Sequence, residues 1–137
     1  MNTTPKILQF DIMGDERGWL CVANGAKQIP FDIKRVYWIY GTEPGVARGK
    51  HAHHKLSQVL VCVSGSVDIY CEWGDKSETF TLSNANTGLL LNGLCWHEMR
   101  NFSPDAVLLV MASDYYDESD YVRDYNEFKR LNNDKGC

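Results

Sequence analysis

Two histidines stand two residues apart in the stretch GVARGKHAHH, residues 45–54. In an extended strand alternate side chains share a face, so His51 and His53 enter one space while Ala52 points away. Imidazole changes charge near neutrality, and two of them on one cavity suit either proton shuttling or the binding of a metal ion. His54 alternates to the opposite face from His53 and reads as a solvated or packing residue.

The elements that must hold this pair are strands. From Lys6 to about Val110 short apolar or alternating runs are separated by turn residues, the pattern of an all-β sandwich or barrel. The runs are ILQFDI (7–12), WLCVA (19–23), VYWIYG (36–41), LSQVLVCVSG (56–65), SVDIYCEW (66–73), ETFTL (78–82), GLLLN (88–92) and AVLLVMAS (106–113). Turn residues between them include Asn24-Gly25, Glu43-Pro44-Gly45, Ser64-Gly65-Ser66 and Gly74-Asp75, which predicts a dense meander with tight hairpins. After Ser113 the chain becomes charged and aromatic. The helical spacing of Tyr121, Tyr125, Phe128 and Leu131 predicts one short C-terminal helix packed on the barrel, with NNDKGC (132–137) frayed. No internal repeat or linker divides the chain, so residues 1–137 read as one domain.

The whole-chain numbers exclude several classes. With 137 residues, 44% hydrophobic and 23% charged, the chain has the make-up of an ordinary soluble domain. A formal net charge of -4 gives no basic field to attract nucleic acid or an anionic membrane, so an anionic ligand needs local arginines. The N-terminal segment has no basic and apolar leader pattern, and no apolar run approaches the roughly 20 residues that span a bilayer. Five cysteines without a CxxC pair, most of them inside apolar runs, read as buried thiols of a reducing, cytoplasmic compartment.

The spacing G-x5-H-x-H-x4-Q-x6-G, from Gly45 through His51, His53 and Gln58 to Gly65, resembles the first motif of the cupins. The commonest form of that motif has glutamate where this chain has Gln58. The second motif is matched in part, by Gly88 and by His97-x3-Asn101, without the intervening Pro-x-Gly. The resemblance implies a cupin, or double-stranded β-helix (jelly-roll), barrel with His97 brought beside the pair, and it points less firmly to the metal site usual in that fold.

Four segments, KRVYWIYG, RGKHAHHKLSQVLVCVSGSVDIY, CWHEMRNFS and ASDYYDESDYVRDYNEF, are together similar to the dTDP-4-keto-6-deoxyglucose 3,4-ketoisomerases, small cupins. A more distant likeness is to nucleotide-sugar 3,5-epimerases, through D-x-R-G at 15–18 and R-G-x-H at 48–51. The resemblance implies a metal-free, cofactor-free isomerase in which His51 and His53 act as acid and base on a dTDP-linked keto sugar. Arg17 and Arg48 would hold its diphosphate or sugar, since guanidinium donates paired hydrogen bonds to phosphate oxygens. Tyr37, Gln58 and His97 would support an enediolate. Tyr37 lies in a run aromatic on both faces, and Gln58 reads equally well as a structural hydrogen-bond partner. The segment WHEM resembles members that form the galacto product.

Two other readings stay open at this level. One is a metal-dependent cupin enzyme with His51, His53, Gln58 and His97 as ligands; the other is a cupin that binds a nucleotide sugar without turning it over. Aromatic strands with apolar edges further imply a homodimer.

Overall fold

A computed structural model describes residues 2–135. The branched and aromatic runs form strands throughout: β1 (Lys6–Gln9), β2 (Ile12–Asp15), β3 (Gly18–Cys21), β4 (Arg35–Tyr40), β5 (Arg48–His53), β6 (Ser57–Ser64), β7 (Val67–Trp73), β8 (Lys76–Leu82), β9 (Thr87–Asn92), β10 (Trp96–Arg100), β11 (Val107–Ala112) and the short β12 (Tyr121–Val122). A 3₁₀ turn at Glu118–Asp120 precedes β12, and one helix, α1 (Tyr125–Lys135), ends the described chain.

Two five-stranded sheets face each other, in the orders β1-β9-β6-β11-β4 and β12-β5-β10-β7-β8. This is the all-β cupin barrel that the motif spacing implies, but it is not a meander. Among the described residues only β2–β3 and β7–β8 pair strands adjacent in sequence; the other ladders join distant segments, such as β1 with β9 and β5 with β10. Alternation of apolar and polar residues marks a strand and its faces. It carries no information on which strand will be its neighbour. The run at 7–12 is also two strands, because Phe10 is buried with Ile29, Val59 and Leu90 and its N–H donates to the Asn86 carbonyl (2.8 Å), ending β1.

The inner faces fill much of the barrel with apolar side chains, among them Leu60, Leu89, Leu91, Leu108 and Val110 from one sheet and Ile69, Cys71 and Met99 from the other. Outside the first sheet, Ile29 and Phe31 of the long 22–34 connection cover Val59, Val61, Leu90 and Met111. The helix covers the second sheet: Phe128, fully buried, packs on Ala52, Leu94, Trp96 and Val122. Burying such a phenylalanine contributes roughly 1.5–3 kcal/mol. Ala52 is therefore where the alternation requires it, against the helix, with its histidine neighbours on the barrel side.

Two expectations for the C-terminal segment are corrected. Tyr121 belongs to β12, not to the helix, because its backbone pairs with β5. Asp124 starts the helix, accepting the Asn126 N–H on its carboxylate (2.8 Å). Asn132 is buried rather than frayed, since its amide donates to the Gly74 carbonyl (2.6 Å) and accepts the Gly74 N–H (2.9 Å) at the β7–β8 turn. Gly136 and Cys137 lie outside the described residues. Of the cysteines, Cys62, Cys71 and Cys95 are buried and Cys21 is exposed. No helix among the described residues is long and apolar enough to cross a membrane.

Candidate active site

The site forms where the inner faces turn from apolar to polar, at the β5 end of the barrel. A bulge aims its first histidine. Across β10 the register steps from His97↔His51 to Glu98↔Gly49, so β5 carries one extra residue, Lys50, at this point. Gly49 and Lys50 both take positive φ, 82° and 60°. A Cβ on Gly49 would come within 3.1 Å of the His97 carbonyl oxygen, so the close approach of the two strands needs glycine here.

With that register, His51 lies directly opposite His97, and His53 directly opposite Tyr121 of β12. The rings form one cluster. His51 is centred 5.0 Å from His53, 4.7 Å from His97 and 4.9 Å from Tyr121, and His53 lies 4.5 Å from Tyr121. The first sheet contributes Tyr37 and Gln58. The Tyr37 hydroxyl donates to Gln58 Oε1 (3.3 Å), and Gln58 Nε2 lies 3.4 Å from His97 Nε2. An amide nitrogen can only donate, so His97 Nε2 accepts and its Nδ1–H donates to the Cys95 carbonyl (3.2 Å). Tyr37 thus faces inward, which its run of aromatics left undecided.

All three histidines are neutral at physiological pH. Burial, with help from the neighbouring imidazoles, pushes His51 down to about 3 and His53 down to about 2. Burial alone takes His97 to about 4, against the pull of the Cys95 carbonyl. Burial pushes the Tyr37 hydroxyl up to about 12, so it keeps its proton. Neutral imidazoles can accept a proton or, as the N–H tautomer, share one.

Imidazole nitrogens of His51, His53 and His97 lie within 4.8 Å of one another, close enough to suggest a cation. The hydrogen bonds do not suit one. The Nε2 lone pair of His97 is taken by Gln58 and its Nδ1 by a carbonyl, so the donor set offers two imidazoles and no carboxylate.

Two cavities open on the cluster, of about 240 Å³ past His53 and about 320 Å³ past His51. They share Arg35 and Tyr121. Arg48, Tyr37 and Arg123 line the second. Arg35 stacks toward Tyr37 (5.3 Å) with its Nε buried and unpaired, and Arg123 lies over Tyr121 (4.3 Å) in a paired contact with Glu118 (2.7 and 2.9 Å). The cavity past His51 has a cationic rim of Arg35, Arg48 and Arg123 without a lining carboxylate, whereas Asp114, Asp117 and Asp120 line the one past His53 beside Arg35 and Lys55; the former suits an anionic ligand whose uncharged part must reach the histidines.

Of the residues singled out from sequence, His51, His53, His97, Gln58, Tyr37 and Arg48 meet here. Arg17 does not. It sits on the β2–β3 turn, 85% exposed, and its guanidinium is bound to Asp15 (2.6 Å). His54 is half-buried just beyond β5, its N–H donating to the Asp120 carbonyl (2.9 Å). Sequence reasoning assigned no site role to Arg35, Asp120, Tyr121 or Arg123, three of which lie in a segment read as charged and aromatic and leading into the helix. The pairing of β12 with β5 brings that segment to the site.

The chain is similar to known proteins over almost its full length. A family model described as FdtA, WxcM-like, C-terminal, matches residues 3–133. A TDP-4-oxo-6-deoxy-α-D-glucose-3,4-oxoisomerase of Aneurinibacillus thermoaerophilus is 46% identical over 125 residues, 91% of this chain and 90% of that one. The crystal structure of a 3,4-ketoisomerase from Helicobacter canadensis has 47% identity and a TM-score of 0.92, covering 96% of this chain and 99% of its own. That of QdtA, a sugar 3,4-ketoisomerase from Thermoanaerobacterium thermosaccharolyticum in complex with TDP, has 39% identity and a TM-score of 0.96 over 100% of both chains.

Proposed function

The chain belongs to the family of TDP-sugar 3,4-ketoisomerases, and from that premise we propose that it moves the keto group of dTDP-4-keto-6-deoxyglucose from C4 to C3, giving dTDP-3-keto-6-deoxygalactose. The observation that carries this reading is the neutral pair His51 and His53 on cavities rimmed by Arg35 and Arg48. The reaction needs what they offer. A proton leaves C3, whose acidity comes from the adjacent C4 carbonyl, and the electrons form an enediolate. A proton then arrives at C4 and another at the C4 oxygen, which becomes a hydroxyl, while the C3 hydroxyl gives up its own proton to become the new carbonyl. Proton transfer by placed imidazoles contributes roughly 10²–10⁴-fold, and fixed donors to the enediolate oxygens supply a further part of the rate.

His51 and His53 are the acid and base. Arg48 holds the diphosphate. Tyr37, Gln58 and His97 form the wall behind the sugar; Gln58 spends one amide hydrogen on His97 and keeps a second for an enediolate oxygen. Arg17 reaches a substrate only from another copy of the chain, because its own hairpin stands clear of the site. The β2–β3 hairpin also exposes Ile12, Met13, Trp19 and Leu20, and the edge strand β4 exposes Val36, Trp38 and Tyr40. An isolated two-stranded hairpin is marginal in water, so a homodimer in which the hairpin of one copy covers β4 of the other accounts for both surfaces and for Arg17.

Proton NMR of chelator-treated protein with the 4-keto substrate in deuterated water tests the reading. A 3-keto product with deuterium at C4 and an axial C4 hydroxyl is expected, lost in His51→Asn or His53→Asn. Binding of the substrate without exchange at C3 would refute it in favour of a non-catalytic nucleotide-sugar protein.

A further inference from the structure

Beside His53 stands Asp120. Its Oδ2 lies 3.2 Å from His53 Nδ1. The same carboxylate accepts two backbone N–H groups of the β5–β6 turn, Lys55 on Oδ1 (2.9 Å) and Leu56 on Oδ2 (3.2 Å). Its own backbone carbonyl accepts the His54 N–H, and the Asp117 side chain caps the 3₁₀ turn that carries it. Three contacts, from β5 and the β5–β6 turn, leave this side chain little freedom.

We propose that Asp120 is a positioning residue for the reaction, fixing His53 as its Nδ1–H tautomer so that Nε2 is the atom that exchanges protons with the sugar. The argument is one of donors and acceptors. A carboxylate that already receives two backbone N–H groups can only accept from a third partner, so the proton on the neutral ring sits on Nδ1. Nε2 then keeps its lone pair. The two backbone bonds hold the carboxylate in place, and it in turn holds the plane of the ring. His51 has no carboxylate partner: its Nδ1 is buried outside normal hydrogen-bond geometry, with only the Gly49 backbone near it. The two histidines are therefore not equivalent: a fixed carboxylate holds one and not the other. This rests on the ketoisomerase reading for its role in turnover, but the tautomer itself does not.

The test is imidazole nitrogen NMR of the ¹⁵N-histidine-labelled protein beside steady-state kinetics, for wild type, Asp120→Asn, Asp120→Glu and Asp117→Ala. In wild type the His53 signals should show a protonated Nδ1 and a bare Nε2. In Asp120→Asn the amide nitrogen can turn to donate to Nδ1, which moves the proton to Nε2, and kcat should fall roughly 10²–10⁴-fold with KM little changed. Asp120→Glu keeps an acceptor, so the wild-type signals and part of kcat should return. Asp117→Ala loosens the same turn by removing its cap and should lower Tm while leaving the His53 signals as in wild type. A bare Nδ1 in wild type, or a fall in kcat of Asp120→Asn with unchanged His53 signals, would overturn the proposal. A tautomer switch in Asp120→Asn, together with no turnover by wild type, would uphold the hold on His53 and overturn the ketoisomerase reading.

Discussion

His97 faces His51 directly across the β5–β10 ladder, ring centroids 4.7 Å apart, and neither ring carries a charge at neutral pH. That closeness would be repulsive between imidazolium ions. Burial removes the difficulty by keeping the protons off, and the same effect makes the cluster a weak point in acid.

The sign follows from where each state binds protons. In the unfolded chain these imidazoles take a proton near 6.5, and in the folded protein only near 3 for His51, 2 for His53 and 4 for His97. Between 6.5 and about 4 the unfolded state holds more protons, so stability falls as the pH falls, by up to about 1.4 kcal/mol per pH unit for each histidine. Above that window the contribution is complete and constant. Thermal melts should show a Tm that is flat above neutrality and declines from about pH 6.5 downward, less steeply in His51→Asn/His53→Asn. An equally steep decline in the double variant would place the acid sensitivity outside the cluster.

Gly49 controls where His51 points. Alanine at its φ of 82° is strained by roughly 1–2 kcal/mol, and its Cβ would press to 3.1 Å on the His97 carbonyl. Gly45, at φ 84° with nothing within 4 Å of a built Cβ, supplies the comparison. Gly49→Ala and Gly45→Ala should both lower Tm by a few degrees, but only Gly49→Ala should lower kcat, by 10-fold or more on the order expected for displaced catalytic groups. Equal kcat values would show that the bulge is not what places His51.

These comparisons also mark how far the residues alone could be read. That His51 and His53 share a face was legible, because strand alternation fixes it; the arrival of His97 beside them followed only from the resemblance to the cupins, and Gln58 read equally well as a structural partner. Ala52 against the helix follows from the same alternation. The bulge was not legible: nothing in RGKH says that Gly49 and Lys50 both turn to positive φ. Nor was the role of residues 114–124. Their charges resemble a solvated surface, and only the two-residue pairing of β12 with β5, too short to leave a periodic signal, brings Tyr121 and Asp120 against His53. Tyr37 stayed ambiguous because both faces of β4 are aromatic, and the outer one, with Tyr40 72% exposed, carries no sign in sequence of being uncovered.

Gln58 sets what the cluster can bind. Its amide donates to His97 Nε2; a carboxylate could not, and would instead draw a proton onto His97 or share a cation with it. Gln58→Glu should therefore raise the pKa of His97 and retain a divalent ion on purification, since three imidazoles and a carboxylate make a good first-row metal set. Wild-type turnover should be indifferent to chelator. Metal analysis and chelator titration of both proteins check this. Wild-type activity that disappears with chelator and returns with metal would overturn the reading of Gln58 as the residue that keeps a cation out.

Arg17 is the residue whose placement in one chain conflicts most with a role at the site. At 85% exposure and bound to Asp15, its side chain contributes little to the stability of its own fold, so Arg17→Ala should leave Tm nearly unchanged. If it completes the site of a second copy, turnover should still fall, chiefly through KM. Mixing decides between the two geometries. Arg17→Ala and His51→Asn are each defective alone, but a dimer with one chain of each kind would have one site with both residues intact. After subunit exchange, activity should rise to about a quarter of wild type, since half the dimers are mixed and half of their sites are restored. No recovery in verified mixed dimers would mean that Arg17 and His51 of one chain serve the same site, or that Arg17 serves none.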